Sequence, residues 1–275
     1  MSRTAAAAAP EGGLIARAGV LGYVIALVGV PLAALVSTGL EGGLEAFRQV
    51  VTAPMVMDAV GLTLWTAALM AVVNGVMGTA TAWVLVRYRF PGRALLSALV
   101  DLPFAIPTLV AGVMLVLLFG PQEPAGRWFI ARGVPVAFAA PGIVLALLFI
   151  TLPLVARAVE PVLLELDPAE EEAAFTLGAG TGTIFHRVLL PALFPAVAYG
   201  TLQSFARALA EFGSIVVISG NIPHRTLTAP VLIFGEVESG RPEAAAAVSV
   251  VLLVVALALS VITRTLRRGS GRDGD

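Results

Sequence analysis

The chain has 275 residues, of which 58% are apolar and only 13% charged, with a net charge of -1. Soluble domains carry roughly a quarter charged residues, and at a mean hydropathy of +0.94 no soluble core hides this much apolar surface; the class is an all-α, polytopic membrane protein. Cysteine and lysine are both absent, all 17 basic residues being arginine, which excludes disulfides, thiolate metal sites, the phosphate-loop lysine and Schiff-base chemistry.

In chain order, residues 1–17 form an N-terminal tail, Ala-rich at 4–10 and expected to be disordered. Arg3 and Arg17 then flank a first apolar run at 20–36. The run is long for a signal sequence and five more spans follow it, so it reads as a retained helix. The other spans are expected at 59–86, 94–119, 140–156, 195–219 and 244–263, near the ~20 residues that a bilayer core requires. Within the second, Asn74 is expected to hydrogen-bond between helices. Asp101, Pro103 and Pro107 interrupt the third, and Arg207 and Glu211 interrupt the fifth. A tail at 265–275 closes the chain. No internal repeat is visible. The only histidines, His186 and His224, are far apart, so neither a metal site nor a catalytic set is expected.

Arginine sets the orientation, because cytoplasmic loops retain positive charge. With the N-terminus inside, Arg3, Arg17, Arg87, Arg89, Arg93, Arg157, Arg187, Arg264, Arg267, Arg268 and Arg272 lie inside. Arg48, Arg127, Arg132, Arg225 and Arg241 lie outside. Both termini are therefore expected in the cytoplasm.

The most polar stretch, 161–191, falls between the fourth and fifth spans and faces the cytoplasm on this topology. Asp167 before Pro168 is a helix start, with Glu170 at the third position and three acids where the helix dipole favours negative charge. Leu177 ends that helix and Gly178 suits the left-handed position after it. A second helix is expected from Thr181 or Thr183 to Pro191, giving a helix-Gly-helix elbow. Ala173 and Ala174 admit a close partner, and Phe175 and Leu177 are apolar anchors of the kind that dock a helix in a groove; an ordinary solvated loop helix is the alternative. Gly178 to Gly182 is no phosphate loop, since a helix precedes it and no lysine follows.

Glu172-Ala173-Ala174, three residues, Gly178, nine residues, Val188-Leu189-Leu190-Pro191 resembles the EAA signature of bacterial ABC importer permeases, with Val188 in place of Ile. The resemblance implies a type I permease fold over 18–264. It also implies that Glu172, Ala173, Ala174, Phe175, Gly178, Val188, Leu190 and Pro191 couple the chain to a separate ATPase. Further stretches at 83–92, 101–107, 205–213 and 219–223 are similar to sulfate-type permeases, most of all the T-type subunit of the sulfate/thiosulfate importer. Ala210 stands where Gly is usual, and Asn221-Ile222-Pro223 is close to molybdate permeases, so molybdate or tungstate stays open as cargo. The implied partners are a second, W-type permease, two ATP-binding subunits, a periplasmic or lipoprotein sulfate-binding protein and the lipid of a bacterial inner membrane, with no nucleic acid. The chain itself would bind no cofactor; ATP and Mg would sit on the partner ATPase. A polytopic enzyme and an ATP-independent anion channel are the readings from other classes.

Arg207 and Glu211, at i and i+4 and near the midplane, either neutralise each other or line an anion path in which Arg207 attracts a dianion. Asp101 is expected to pair with a nearby arginine, to shape a hinge, or to line that path. Outside, Gly220 and Asn221 suit a tight turn. With Pro223 and Arg225 they form the loop expected to meet the binding protein.

Overall fold

The computed structural model describes residues 12–270, with side chains through 262 except at 12–15 and 260. The disorder expected at 4–10 and Arg3 and Arg272 of the arginine count lie outside the described residues. Twelve helices fill the described chain. The first, α1, spans 12–39 with one π-helical turn at Ile25–Gly29. Next come α2 (Gly43–Val51), α3 (Pro54–Arg87), α4 (Arg93–Ala105), α5 (Thr108–Phe119) and α6 (Pro124–Ile130). They are followed by α7 (Ala140–Glu165), α8 (Pro168–Thr176), α9 (Thr181–Leu209), α10 (Gly213–Ile218), α11 (Ala229–Glu238) and α12 (Pro242–Ser270).

Five helices, α1, α3, α7, α9 and α12, are long and apolar enough to cross a bilayer; α4 and α5, bent by 112° at their junction, make a sixth if they form one span. The bend has a local cause. Pro103 lies inside α4 and Pro107 caps α5, so backbone donors are missing on both sides of Ile106, whose own backbone is extended.

Several boundaries differ from the expectation. Helix α1 begins at Gly12, inside the stretch read as a tail, and α12 continues to Ser270 rather than stopping near 263. Helix α7 runs nine residues past 156 to Glu165, through Pro161, so residues 161–165 belong to a span and not to the polar loop. The fifth span is displaced most. Helix α9 starts at Thr181 and passes Pro191 and Pro195 without ending. It stops at Leu209, and a separate α10 completes the apolar stretch.

Helices α3, α7 and α9 form the centre of the bundle, and glycine sets their distance. A Cβ on Gly78 of α3 would lie 2.6 Å from Val155 Cβ, and one on Gly200 of α9 would lie 2.9 Å from Val155 Cα. Small residues that let backbones approach are how helices associate in lipid. Asn74 behaves as expected: Nδ2 donates to Leu148 O (3.1 Å) and to Thr151 Oγ1 (2.8 Å) on α7. Helix α1 leans on α12 at its far end, where Gly39 abuts Ala246, and its Val20, Leu21, Tyr23 and Leu27 are bare. One end of the bundle carries α8; the other carries α2, α6 and the loop between α10 and α11.

Candidate functional site

At the α8 end, the sequence signals for a short capped helix are met closely. The Asp167 carboxylate accepts from Ala169 N at 2.9 Å, and Pro168 follows at the first helical position. At the other terminus Gly178 adopts φ +84°. Its N–H reaches Phe175 O (3.0 Å), while Ala179 N–H reaches Ala174 O (3.1 Å), a Schellman closure. Thr181 starts α9, which completes the elbow. Phe175 is 69% exposed and Leu177 88%. Glu172 and Ala173 are also exposed, and Ala174 is half-buried. Two large apolar side chains at the C-terminal end of α8 are therefore left without an intramolecular partner surface. Val188, Leu190 and Pro191 lie elsewhere, in the first turns of α9 around a π-helical turn at Phe185–Leu189. The two halves of the motif are thus an exposed helix and the root of the span behind it.

Deeper in the bundle, Ser204 Oγ on α9 donates to Thr151 O near the middle of α7. Arg207, three residues on, lies ~4.5 Å farther from the α8 end at the helical rise. It is paired with Glu211 as expected, Nη1 to Oε2 at 2.9 Å, but the two do not share a helix. Glu211 sits in the break between α9 and α10. Its second oxygen, Oε1, accepts from Ser214 N (3.0 Å) and Ser214 Oγ (3.1 Å). The Glu211 side chain is 2% exposed and that of Arg207 is 40% exposed. Of the two gate candidates, Arg207 therefore presents charge, while Glu211 is turned inward and fully engaged. The break itself packs on the α4–α5 bend: a Cβ on Gly213 would lie 2.2 Å from Thr108 Oγ1 and 3.0 Å from Leu109 N. Sequence showed both interruptions but not that they touch.

Asp101 does not reach this break. Both its oxygens face Arg157 on α7, at 2.8 Å to Nε and 2.6 Å to Nη2. Arg157 also donates to Ser97 and pairs with Glu160. The anticipated arginine partner exists, but it belongs to a span and not to a neighbouring loop, because α7 is longer than its apolar run. The Asp101–Arg157 pair thus ties α4 to α7.

At the far end, Gly220 (φ +74°) and Asn221 (φ +53°) make the tight turn. Asn221 Nδ2 donates to Val216 O (2.8 Å) and closes the end of α10. Pro223 and Arg225 are exposed. His224 Nδ1 lies 2.7 Å from Asp58 Oδ2 and ties the loop to the start of α3, a link between residues 166 apart that no local signal announces. Among the described residues no group of acidic residues and histidines is placed to hold a metal ion.

Residues 74–271 match the family described as binding-protein-dependent transport system inner membrane component. The "Probable sulfate transport system permease protein cysT" of Nephroselmis olivacea is 43% identical over 86% of this chain and 84% of its own length. "Sulfate transport system permease protein CysT" of Synechocystis is 42% identical over 91% and 87%. "Sulfate transport system permease protein CysW" of the same organism is 41% identical over 90% of each. Among solved structures, a bacterial alginate ABC transporter in complex with an alginate pentasaccharide-bound periplasmic protein contains a similar chain. That chain has a TM-score of 0.75 at 17% identity, with 94% of each chain covered.

Proposed function

This chain belongs to the binding-protein-dependent transport system inner membrane component family and is a permease subunit of an ABC transporter; we propose that its cargo is sulfate or thiosulfate. The observation that carries the coupling half of this reading is the bare pair Phe175 and Leu177 at the C-terminal end of a capped helix. The names of the sulfate permeases that it resembles favour that cargo over molybdate.

In this reading the α8 end is cytoplasmic, both termini are inside, and the membrane is a bacterial inner membrane. A second, W-type permease sits beside the chain; similarity to both CysT and CysW is what two related subunits of one heterodimer would show. Two ATPase subunits hold ATP and Mg, and one of them receives α8 with its Glu172–Gly178 end, so this chain binds neither and hydrolyses nothing. A sulfate-binding protein delivers the dianion to the loop of Gly220, Asn221, Pro223 and Arg225. Closure of the ATPases moves α8 and reorients the spans, exposing the site alternately to each side. Arg207 is the cation that the dianion meets, and Glu211 holds it in place. The half-exposed guanidinium attracts charge without trapping it.

The test is uptake by the complex reconstituted with its ATPase and binding protein. Sulfate should enter only with ATP, and excess thiosulfate should compete. ATP-dependent molybdate uptake that excess sulfate does not inhibit would overturn the cargo, and anion flux without any ATPase would overturn the class.

A further inference from the structure

The three consecutive acids of α8 are not equivalent. Glu170 and Glu172 are exposed, but Glu171 turns back toward the bundle, and its Oε1 lies 2.5 Å from Nη2 of Arg87, the last residue of α3. The Arg87 guanidinium also stands 5.1 Å from the Trp83 ring centroid. Trp83 in turn makes an edge contact with Phe185 of α9 at 6.0 Å. Among the described residues the Glu171–Arg87 pair is the one ion pair or side-chain hydrogen bond joining α8 to another helix. Each charge sits where its helix dipole favours it, the acid in the first turn of α8 and the arginine in the last turn of α3. Arg87 Nε and Nη2 and Glu171 Oε1 are out of contact with solvent and have no other partner. Separating them leaves buried charge uncompensated until α8 swings far enough to admit water.

We propose that Glu171 and Arg87 form a strap that makes the docking helix and α3 move as one body. This rests on the reading of α8 as the ATPase-docking helix. The elbow after α8 is built on Gly178 and Gly180, so a push on a free α8 would be absorbed by rotation about it. With the strap, the push arrives at Arg87 and enters the helix at the centre of the bundle. From there it passes to α7 through Asn74 and Thr151 and to α9 through Trp83 and Phe185. Glu171 and Arg87 are positioning residues: they touch neither cargo nor nucleotide, and they set how much ATPase motion reaches the path.

The cysteine-free chain allows a direct test in the full complex, with accessible thiols removed from the partner subunits. Spin labels at Tyr88→Cys and Glu170→Cys, both exposed positions, report the distance between α8 and the end of α3. The expected result is one narrow distance, unchanged between nucleotide-free and ATP-trapped complex. In Glu171→Gln or Arg87→Met the distance should broaden and shift on trapping. Sulfate moved per ATP should fall about fivefold, the factor for losing a quarter-exposed pair worth ~1 kcal/mol. The ATPase should still co-purify. Arg87→Lys keeps the charge and should keep the narrow distance. A distance that changes with ATP in the unsubstituted pair refutes the strap. So does an Arg87→Met complex with the normal sulfate-to-ATP ratio, even where Glu171→Gln fails to assemble. A wild-type complex that retains no ATPase overturns the docking reading itself, and the strap with it.

Discussion

Removing one partner of the Arg207–Glu211 pair should have unequal consequences, because the two side chains are unequally buried. Glu211 is 2% exposed and Arg207 is 40% exposed, with the carboxylate also accepting from Ser214 N and Oγ. Arg207→Met leaves a buried carboxylate with its main counter-charge gone, at a cost of about 3–5 kcal/mol. Glu211→Gln leaves a guanidinium that water can partly solvate and keeps an amide oxygen for Ser214, so its cost should be about 1–2 kcal/mol. Glu211→Ala also strands the Ser214 N–H and hydroxyl, adding about 1–3 kcal/mol for buried groups left unsatisfied. The double variant Arg207→Met/Glu211→Gln should be less damaged than the sum of its parts, by about 1–3 kcal/mol, since neither charge remains to be stranded. Unfolding of the purified protein in detergent, followed by intrinsic tryptophan fluorescence, gives the order directly. If Glu211→Gln unfolds below Arg207→Met, or if the two effects add, then Glu211 is not the buried anchor of the break and the assignment of Arg207 as the charge-presenting member fails.

Phe175→Ser/Leu177→Ser should leave unfolding unchanged, since both side chains are already exposed, and should reduce co-purification of the ATPase at least about tenfold, the loss expected when two apolar anchors leave a groove. Gly200→Val should destabilise by about 1–3 kcal/mol, because its Cβ meets the Val155 backbone, which cannot step aside as a side-chain tip can; thermal midpoint is again the readout. Asn74→Leu should cost about 0.6–1.7 kcal/mol, the range for polar contacts between helices in a bilayer, and a larger loss would mean that Asn74 holds more than Leu148 and Thr151. Asp101→Asn should change sulfate uptake less than twofold, because Arg157 keeps Glu160 as partner. A loss of uptake with normal unfolding would return Asp101 to the path.

Legibility in the sequence tracked how local the cause was. The cap at Asp167, the left-handed Gly178 and the turn at Gly220 and Asn221 each depend on neighbours within a few residues, and all three are where the pattern put them. Helix ends set by tertiary packing were harder. Pro191 and Pro195 would break an isolated helix, yet α9 passes both, Pro191 directly after the π-helical turn at Phe185–Leu189 and Pro195 one turn later. Composition likewise ended the fourth span at 156, because Arg157 and Glu160 look like flanking charge; Asp101 and Ser97 of α4 supply the partners that let α7 continue to Glu165.

By itself the sequence determined the class, the apolar stretches, the arginine asymmetry and the capped helix with its left-handed glycine, because each is a property of composition or of spacing along one helix. It also placed two charges in the fifth span. Only the tertiary structure decided which of those charges faces outward, which of Glu170, Glu171 and Glu172 turns to the bundle, and that two separate chain breaks lie against each other at Gly213 and Thr108. Such choices depend on distances between residues far apart in the chain. An ionisable side chain in lipid takes the partner that packing brings to it, and packing here is set by where glycine lets helices close.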